Sequence, residues 1–296
     1  MSTQPYTVTA SLPLRTRILR YPLTLAILGI LATIVPMFVT LGLTELVPKA
    51  LRVGWPMLLA AGFAVAGYRL YVTHLERRPI SELAVDGAGR ELLHGLGIGA
   101  LLVVATSSVL LACGAFAVTG TADPIVLLKP LPEQVMVACF EEIVFRAIVF
   151  GLLQKSWGTK IALVVSTVIF VASHMPNEGF SVLGALMTAA ASLALSGAYL
   201  ATNRLWLPIG MHFAWNFLND AVFAVPVSGH PARGWVQITT SGPEWLSGGA
   251  YGVEGSVVTG ITWTIAAVML LVIAHRRGHW MTKRMVRPGD EGALAH

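Results

Sequence analysis

The chain has 296 residues, of which 55% are hydrophobic and only 12% are charged, and its formal net charge is +5. Because soluble domains carry about 25% charged residues, this composition excludes a soluble globular protein and predicts a polytopic membrane protein. The lysines and arginines cluster at the ends of apolar runs, where they orient a protein in the lipid bilayer, so the positive charge does not indicate a nucleic-acid partner. The two cysteines, Cys113 and Cys139, both lie in apolar runs, which argues against a disulfide framework or a thiolate metal site.

Eight apolar runs approach the ~20 residues that an α-helix needs to cross the hydrocarbon core of a membrane. We therefore predict an all-α fold, a bundle of about eight transmembrane helices within residues 22–275. The first run is long and has no evident cleavage site of small residues, so we interpret it as a signal anchor rather than a cleaved signal peptide. In chain order, the predicted spans are residues 22–43, 55–72, 92–118, 132–153, 161–174, 182–201, 205–225 and 257–275.

Three segments between the spans have a recognisable character. Residues 81–93 alternate apolar and charged positions, which predicts a segment lying in the plane of the membrane interface. Residues 119–130 contain Gly, Asp and Pro, and residues 226–255 are rich in Gly, Ser and Pro, so both are predicted to be loops. The pattern shows no clear internal repeat, and an inverted-repeat transporter therefore gains no support.

The distribution of positive charge predicts the orientation of the bundle. Eight spans with the N-terminus inside place 15 of the 20 lysines and arginines on the inner side and four on the outer side. Such a bias is typical of a cytoplasmic inner side. We expect a bacterial cytoplasmic membrane, with residues 1–21 as a cytoplasmic segment and residues 276–296 as a basic cytoplasmic tail.

The fourth apolar run contains three ionisable residues, Glu141, Glu142 and Arg146. Burying each of them at the centre of a membrane helix costs roughly 2.5–3.5 kcal/mol, which calls for compensation. Glu142 and Arg146 are four residues apart and share a helix face, so they can pair. Glu141 points about 100° away. It is therefore free to face a cavity, where it can act as a general base.

Two later runs carry further polar side chains. His174 follows Phe170 by one helical turn, which places the aromatic ring beneath the imidazole, and His212 and Asn216 share a helix face. Glu141 with His174 can bind and activate a water, while His212 with Asn216 can donate hydrogen bonds to a developing oxyanion. The chemistry that this set indicates is hydrolysis of an amide within or at the membrane.

Each of these residues also has a structural interpretation. The pair of Glu142 and Arg146 can simply join two turns of a helix, a single histidine can bind a backbone carbonyl, and Asn216 can hold two helices together. The combination favours a functional site, because ionisable residues inside a membrane are rare unless they have a function. Asp220 is expected in water near the end of its span. The histidines at span ends, in the outer loop and in the tail are expected to be solvated: His74, His94, His230, His275, His279 and His296.

Three short motifs occur in order in separate apolar runs. They are Glu-Glu-x-x-x-Arg at residues 141–146, Phe-x-x-x-His at residues 170–174 and His-x-x-x-Asn at residues 212–216. With them the chain resembles the CAAX protease and bacteriocin-processing family of intramembrane proteases, the type II CAAX prenyl endopeptidase group. Residues 205–210 and 248–256 also look like the family. The resemblance covers roughly residues 132–256, the predicted protease core.

The resemblance implies an eight-span fold that hydrolyses a peptide bond of a membrane peptide or a lipidated protein. Glu141 and His174 would activate the water, and His212 and Asn216 would hold the oxyanion. Glu142, Arg146 and Phe170 would support the site. The family has been described both as metal-independent glutamate proteases and as metalloproteases.

A zinc ion is the alternative to a site without a cofactor. Its ligands would be Glu141, His174 and His212, since zinc often takes three protein ligands and a water. These ligands come from three helices, without a His-Glu-x-x-His helix to fix two of them, and we therefore favour the metal-free mechanism. Two other function classes stay open: a non-catalytic scaffold or immunity factor of the same fold, and a proton-coupled transporter with a Glu/His relay.

Overall fold

The computed structural model describes residues 21–282 of the chain. The predictions for residues 1–20 and 283–296 lie outside this range. Within it, the α-helices are α1 (Pro22–Thr44), α2 (Trp55–Tyr71), α3 (Ala88–Ala112), α4 (Leu131–Glu142), α5 (Gly151–Trp157), α6 (Thr159–His174), α7 (Val182–Thr202), α8 (Trp206–Phe217), α9 (Glu244–Ser247) and α10 (Val257–Arg276). The π-helical segments are Val72–Glu76, Ile143–Phe150 and Leu218–Val222, and the strands are β1 (Phe116–Thr121) and β2 (Val236–Thr240). Short 3-10 helices cover Lys49–Leu51, Ser81–Leu83, Pro124–Leu128, Gly249–Tyr251 and Val253–Gly255.

The predicted all-α membrane fold is confirmed. Five helices in the described range are long and apolar enough to cross a membrane: α1, α2 with its π-helical extension, α3, α7 and α10. Helix α6 is apolar but shorter. Helices α4 and α5 are joined without a break by the π-helical segment Ile143–Phe150, and α8 continues into the π-helical segment Leu218–Val222. Each of the eight predicted spans therefore corresponds to one helical segment.

The predicted end of the third span at residue 118 is wrong. Helix α3 ends at Ala112, and Gly114 then adopts a left-handed backbone with φ of +71°, which glycine permits without steric cost. The chain continues as β1, which pairs antiparallel with β2, with Phe116 opposite Thr240. Both predicted loops thus contribute to a small two-stranded sheet at one end of the bundle.

Residues 81–93, predicted to lie in the plane of the membrane interface, do not form one continuous element. Helix α3 starts at Ala88, and Glu82 is only 2% exposed. Arg78 donates two hydrogen bonds of 2.8 Å to the Glu82 carboxylate, which also accepts one from the Tyr68 hydroxyl. Burial alone would raise the pKa of Glu82, but the hydrogen bonds from Arg78 and Tyr68 outweigh it and lower that pKa below its ordinary value. Glu82, one of the charged positions in the alternating pattern, therefore belongs to a buried ion pair.

Glycines bring α3 into close contact with α8, the helix that carries His212. A Cβ atom at Gly95 would lie 2.2 Å from the backbone oxygen of Leu207, and one at Gly99 would lie 2.5 Å from that of Met211. Small residues permit such close approach of membrane helices. Since His212 follows Met211 directly, this contact fixes the position of the helix face that enters the site.

This packing predicts unequal effects of two alanine substitutions on the same helix. Gly95→Ala is expected to lower the thermal unfolding temperature in detergent, because its Cβ forces α3 and α8 apart. The matched control is Gly97→Ala, whose Cβ would meet nothing within 4 Å. It is expected to leave the unfolding temperature unchanged or slightly higher, since alanine is the better helix former. Equal effects of the two substitutions would contradict the packing described here.

Candidate active site

A cavity of about 530 Å³ lies inside the helical bundle. All four residues predicted to be catalytic line it: Glu141 from α4, His174 from α6, and His212 and Asn216 from α8. Phe170 lines it as well. The helical scaffold thus brings together side chains that are up to 75 residues apart in the sequence.

Glu142 and Arg146 lie behind the cavity wall and are almost completely buried, at 0% and 1% exposure. The expected pair is present, with Arg146 Nη1 donating to Glu142 Oε1 at 3.2 Å. Arg146 also donates to the backbone oxygen of Ser192 on α7 at 3.5 Å, and its guanidinium lies 4.6 Å from the centre of the Phe170 ring. The positive charge of Arg146 is therefore stabilised by the Glu142 carboxylate, the Ser192 carbonyl and the face of the Phe170 ring.

His212 makes a contact that the sequence analysis missed. Its Nδ1 lies 2.8 Å from Glu142 Oε1, the oxygen that also accepts from Arg146. An ionised carboxylate only accepts, so Nδ1 carries a hydrogen and donates it. This leaves Nε2 on the side of Glu141, at 4.0 Å from its Oε2. No spacing rule could have found this contact, because 70 residues separate His212 from Glu142.

Glu141 and Asn216 present free polar groups to the cavity. Within residues 21–282 the side chain of neither residue forms a hydrogen bond, and Oε2 of Glu141 is buried without a partner. The Glu141 side chain is 17% exposed, in contrast to the sealed carboxylate of Glu142. The two neighbouring glutamates therefore have different environments, as their helical geometry predicts.

His174 is held by its own helix. Its Nδ1 donates to the backbone oxygen of Phe170 at 2.8 Å and lies 3.2 Å from the Ser173 hydroxyl. The imidazole packs on the Phe170 ring, with centroids 4.5 Å apart, so the expected placement of that ring is present. Because Nδ1 is committed to the carbonyl, Nε2 remains available to accept a hydrogen.

Asp220 is not solvated, contrary to expectation. It is 5% exposed, and Arg233, in the loop that precedes β2, donates to it at 2.8 Å. Arg233 also donates to Glu133 at 2.8 Å, and Gln134 donates to Asp220 at 3.2 Å. Burial works against the charge of Arg233, but hydrogen bonds to Asp220 and Glu133 outweigh it and raise its pKa. The prediction was wrong because the loop folds back over the end of α8.

A further carboxylate, Glu254, also lines the cavity. It accepts a hydrogen bond of 2.8 Å from the indole of Trp215 and another from the Ser228 hydroxyl. Nearby, burial and then the charge of Glu254 raise the pKa of Tyr251 to about 12. The only sequence signal for this group was that residues 248–256 look like part of the family pattern.

The possible zinc ligands do not form a metal-binding group in the part of the chain that the structure describes. Glu141, His174 and His212 line one cavity, but no three His, Cys, Asp or Glu side chains within residues 21–282 are gathered closely enough to hold a metal ion. The donor set as arranged does not fit zinc.

Comparison with known proteins finds one family that is similar to part of the chain. Residues 124–218 match the family model described as Rce1-like, type II CAAX prenyl endopeptidase Rce1-like. The match includes all three motifs and ends before the loop that carries Arg233 and Glu254. Neither a curated protein nor a solved structure matches the chain. The resemblance inferred from the motifs is thereby confirmed, and the matched segment is similar to the family of CAAX-type proteases.

The buried cluster behind the cavity predicts a strong dependence of stability on Arg146. Arg146→Met leaves Glu142 as a buried carboxylate without its cation and is expected to lower the free energy of unfolding by about 3–5 kcal/mol. The measurement is thermal unfolding in detergent, followed by circular dichroism.

The double variant Glu142→Gln/Arg146→Met is the control, because it removes both charges. It is expected to recover part of the lost stability, since no uncompensated charge remains. A double variant that is less stable than Arg146→Met alone would show that Glu142 is not stabilised by Arg146.

Proposed function

We propose that the chain is an intramembrane endopeptidase that hydrolyses a peptide bond of a membrane-associated or lipidated substrate. The observation that carries this proposal is the free carboxylate of Glu141 in a cavity inside a membrane bundle, beside a histidine that a buried ion pair holds in place. The family match supports protease activity in general. The roles of the individual residues below are our inference.

Glu141 activates the water in this mechanism. Its carboxylate has no hydrogen-bond partner among the described residues, so it can accept a proton from a water in the cavity. His174 offers Nε2 as a second acceptor for that water. The water oxygen bonds to the carbonyl carbon of the substrate, and the C–N bond then breaks. Glu141 passes the proton to the departing nitrogen, which leaves as an amine.

His212 and Asn216 stabilise the oxyanion that forms after the water attacks and before the C–N bond breaks. Glu142 accepts the Nδ1 hydrogen of His212 and so fixes the orientation of the ring, which directs Nε2 to the cavity. In its imidazolium form His212 donates from Nε2 to the oxyanion, and Asn216 donates from its amide. Removing one such donor from an oxyanion hole typically costs about 10²–10³ in kcat.

The proposed mechanism uses no cofactor, and no step in it passes through zinc. A carboxylate behind the far nitrogen of a histidine, such as Glu142 behind His212, is also the usual partner of zinc-bound histidines. The test of function therefore includes a chelator. A second class of function, a non-catalytic scaffold or immunity factor, has no specific observation in its favour and becomes an outcome of the same test.

The substrate lies in or on a lipid bilayer in this proposal, since helices of a multi-pass membrane protein supply most of the cavity wall. In this proposal the lysine and arginine distribution orients the bundle with both termini in the cytoplasm, and the membrane is a bacterial cytoplasmic membrane. With that orientation the sheet of β1 and β2 lies on the outer face of the membrane.

The decisive prediction concerns Glu141. The purified protein in detergent is expected to cleave members of a library of membrane peptides, and Glu141→Gln is expected to lower kcat by about 10²–10⁴, because the general base is lost. Glu178→Gln is the matched control, since Glu178 is exposed and does not line the cavity. It should cleave like the wild type, and all three proteins should unfold at similar temperatures.

Each assay is repeated with phenanthroline. Cleavage that persists with the chelator supports the metal-free mechanism, whereas loss of cleavage that zinc restores would overturn it. A folded protein that cleaves no member of the library would contradict the proposed protease and leave the scaffold as the better proposal.

A further inference from the structure

The cavity wall holds a negative charge that the proposed chemistry does not use. Glu254 lies in the segment between α9 and α10, outside the part of the chain that matches the family model. Its two oxygens accept hydrogen bonds from the Trp215 indole and the Ser228 hydroxyl. Both donors are neutral, so they satisfy the oxygens without cancelling the charge. Within residues 21–282 Glu254 forms no ion pair.

The lining of the cavity is negative as a whole. Four carboxylates line it, and among the described residues Arg233 is the only lysine or arginine that does so. Arg233 is already bonded to two of these carboxylates, Glu133 and Asp220. Glu254 therefore keeps its charge for a ligand, while Glu141, which lies 4.0 Å from His212 Nε2, serves the proposed hydrolysis. A cleft with one sign of charge and low-dielectric walls concentrates ions of the opposite sign.

The side chain of Gln134 independently favours a ligand that carries hydrogen-bond donors. Gln134 lines the cavity and is only 9% exposed. Its amide nitrogen donates to Asp220, which fixes the side-chain orientation, and its Oε1 is buried without any hydrogen-bond partner. Leaving a buried acceptor unsatisfied destabilises the protein. A donor that enters the cavity would remove this destabilisation.

We propose that Glu254 forms a subsite for a cationic side chain of the substrate, an arginine or lysine close to the peptide bond that is cleaved. The proposal rests on the proposed protease function and names a feature of its substrate. Glu254 here is a specificity-determining residue, while Glu141 remains the base. The cationic side chain brings a positive charge into the negative cavity. Its N–H groups can donate hydrogen bonds to the acceptors in the wall.

The purely structural alternative is that Glu254 only ties its segment to α8 and to the loop at Ser228. The two roles differ in what Glu254→Gln does. Glutamine keeps an oxygen that can accept from Trp215 but removes the charge, so a structural residue would change stability without changing the order of preferred substrates. Specificity is therefore the readout, expressed as a ratio of kcat/KM values for two peptides.

The experiment uses peptides that the wild type cleaves, with lysine, norleucine or glutamate at each position near the cleaved bond. At one position the wild type is expected to prefer lysine over norleucine by about tenfold or more, the size expected for a hydrogen bond to a charged group. In Glu254→Gln the ratio should fall towards one. In the control Glu178→Gln, which removes an equal charge from an exposed site, the ratio should stay at the wild-type value.

Binding tests the subsite without catalysis. The same peptides, labelled with a fluorophore, are titrated into Glu141→Gln with and without the additional change Glu254→Gln, and the dissociation constants are measured by fluorescence anisotropy. Tighter binding of the lysine peptide that depends on Glu254 supports the subsite even if no peptide is cleaved. Equal binding of lysine and norleucine peptides, no binding of either, or a kcat/KM ratio that Glu254→Gln leaves unchanged would overturn it. Cleavage by the wild type without a lysine preference would refute the subsite and leave the protease proposal intact.

Discussion

The buried contact among Glu142, Arg146 and His212 is the constraint on which the rest of the bundle depends. Charged groups inside a membrane are costly unless they are paired. Here the cost is offset only when α4 and α8 lie side by side, so that one carboxylate oxygen accepts from both Arg146 and His212. The backbone of Ser192 and the ring of Phe170 complete the surroundings of Arg146, which also fixes α7 and α6.

The polar residues behind the cavity wall stabilise the bundle, and those in the wall are available for chemistry. Behind the wall, one oxygen of Glu142 pairs with Arg146 and His212, whereas within residues 21–282 the side chains of Glu141 and Asn216 in the wall form no hydrogen bonds. Two π-helical segments begin close to these residues. The segment Ile143–Phe150 starts directly after Glu142, and Leu218–Val222 starts two residues after Asn216. Such wide turns are rare and occur frequently at functional sites.

The features that could be predicted best from the sequence are those that depend on neighbouring residues. Hydropathy placed the eight helical segments, and helical spacing placed the pair of Glu142 and Arg146 and separated Glu141 from it. Burial was predicted less well. The sequence pattern did not show that Glu82 is buried against Arg78, four residues away, and Tyr68 of α2.

The candidate site shows the same limit. The four cavity-lining residues could be selected from their motifs, but the hydrogen bond between His212 and Glu142 could not. Asp220 was misplaced because its burial depends on Arg233, which returns from a loop of low regularity. Glu254 carries no periodic signal at all, and only the folded chain brings it to Trp215 and into the cavity wall.

The most direct test of the central claim is to follow the oxygen of the attacking water. The purified protein and a membrane peptide are incubated in water enriched in oxygen-18, and the products are analysed by mass spectrometry. One solvent oxygen is expected in a new C-terminal carboxylate, with the new amine on the other fragment and no such products from Glu141→Gln. Wild-type protein that is folded and produces no such carboxylate from any peptide would contradict the proposed hydrolysis.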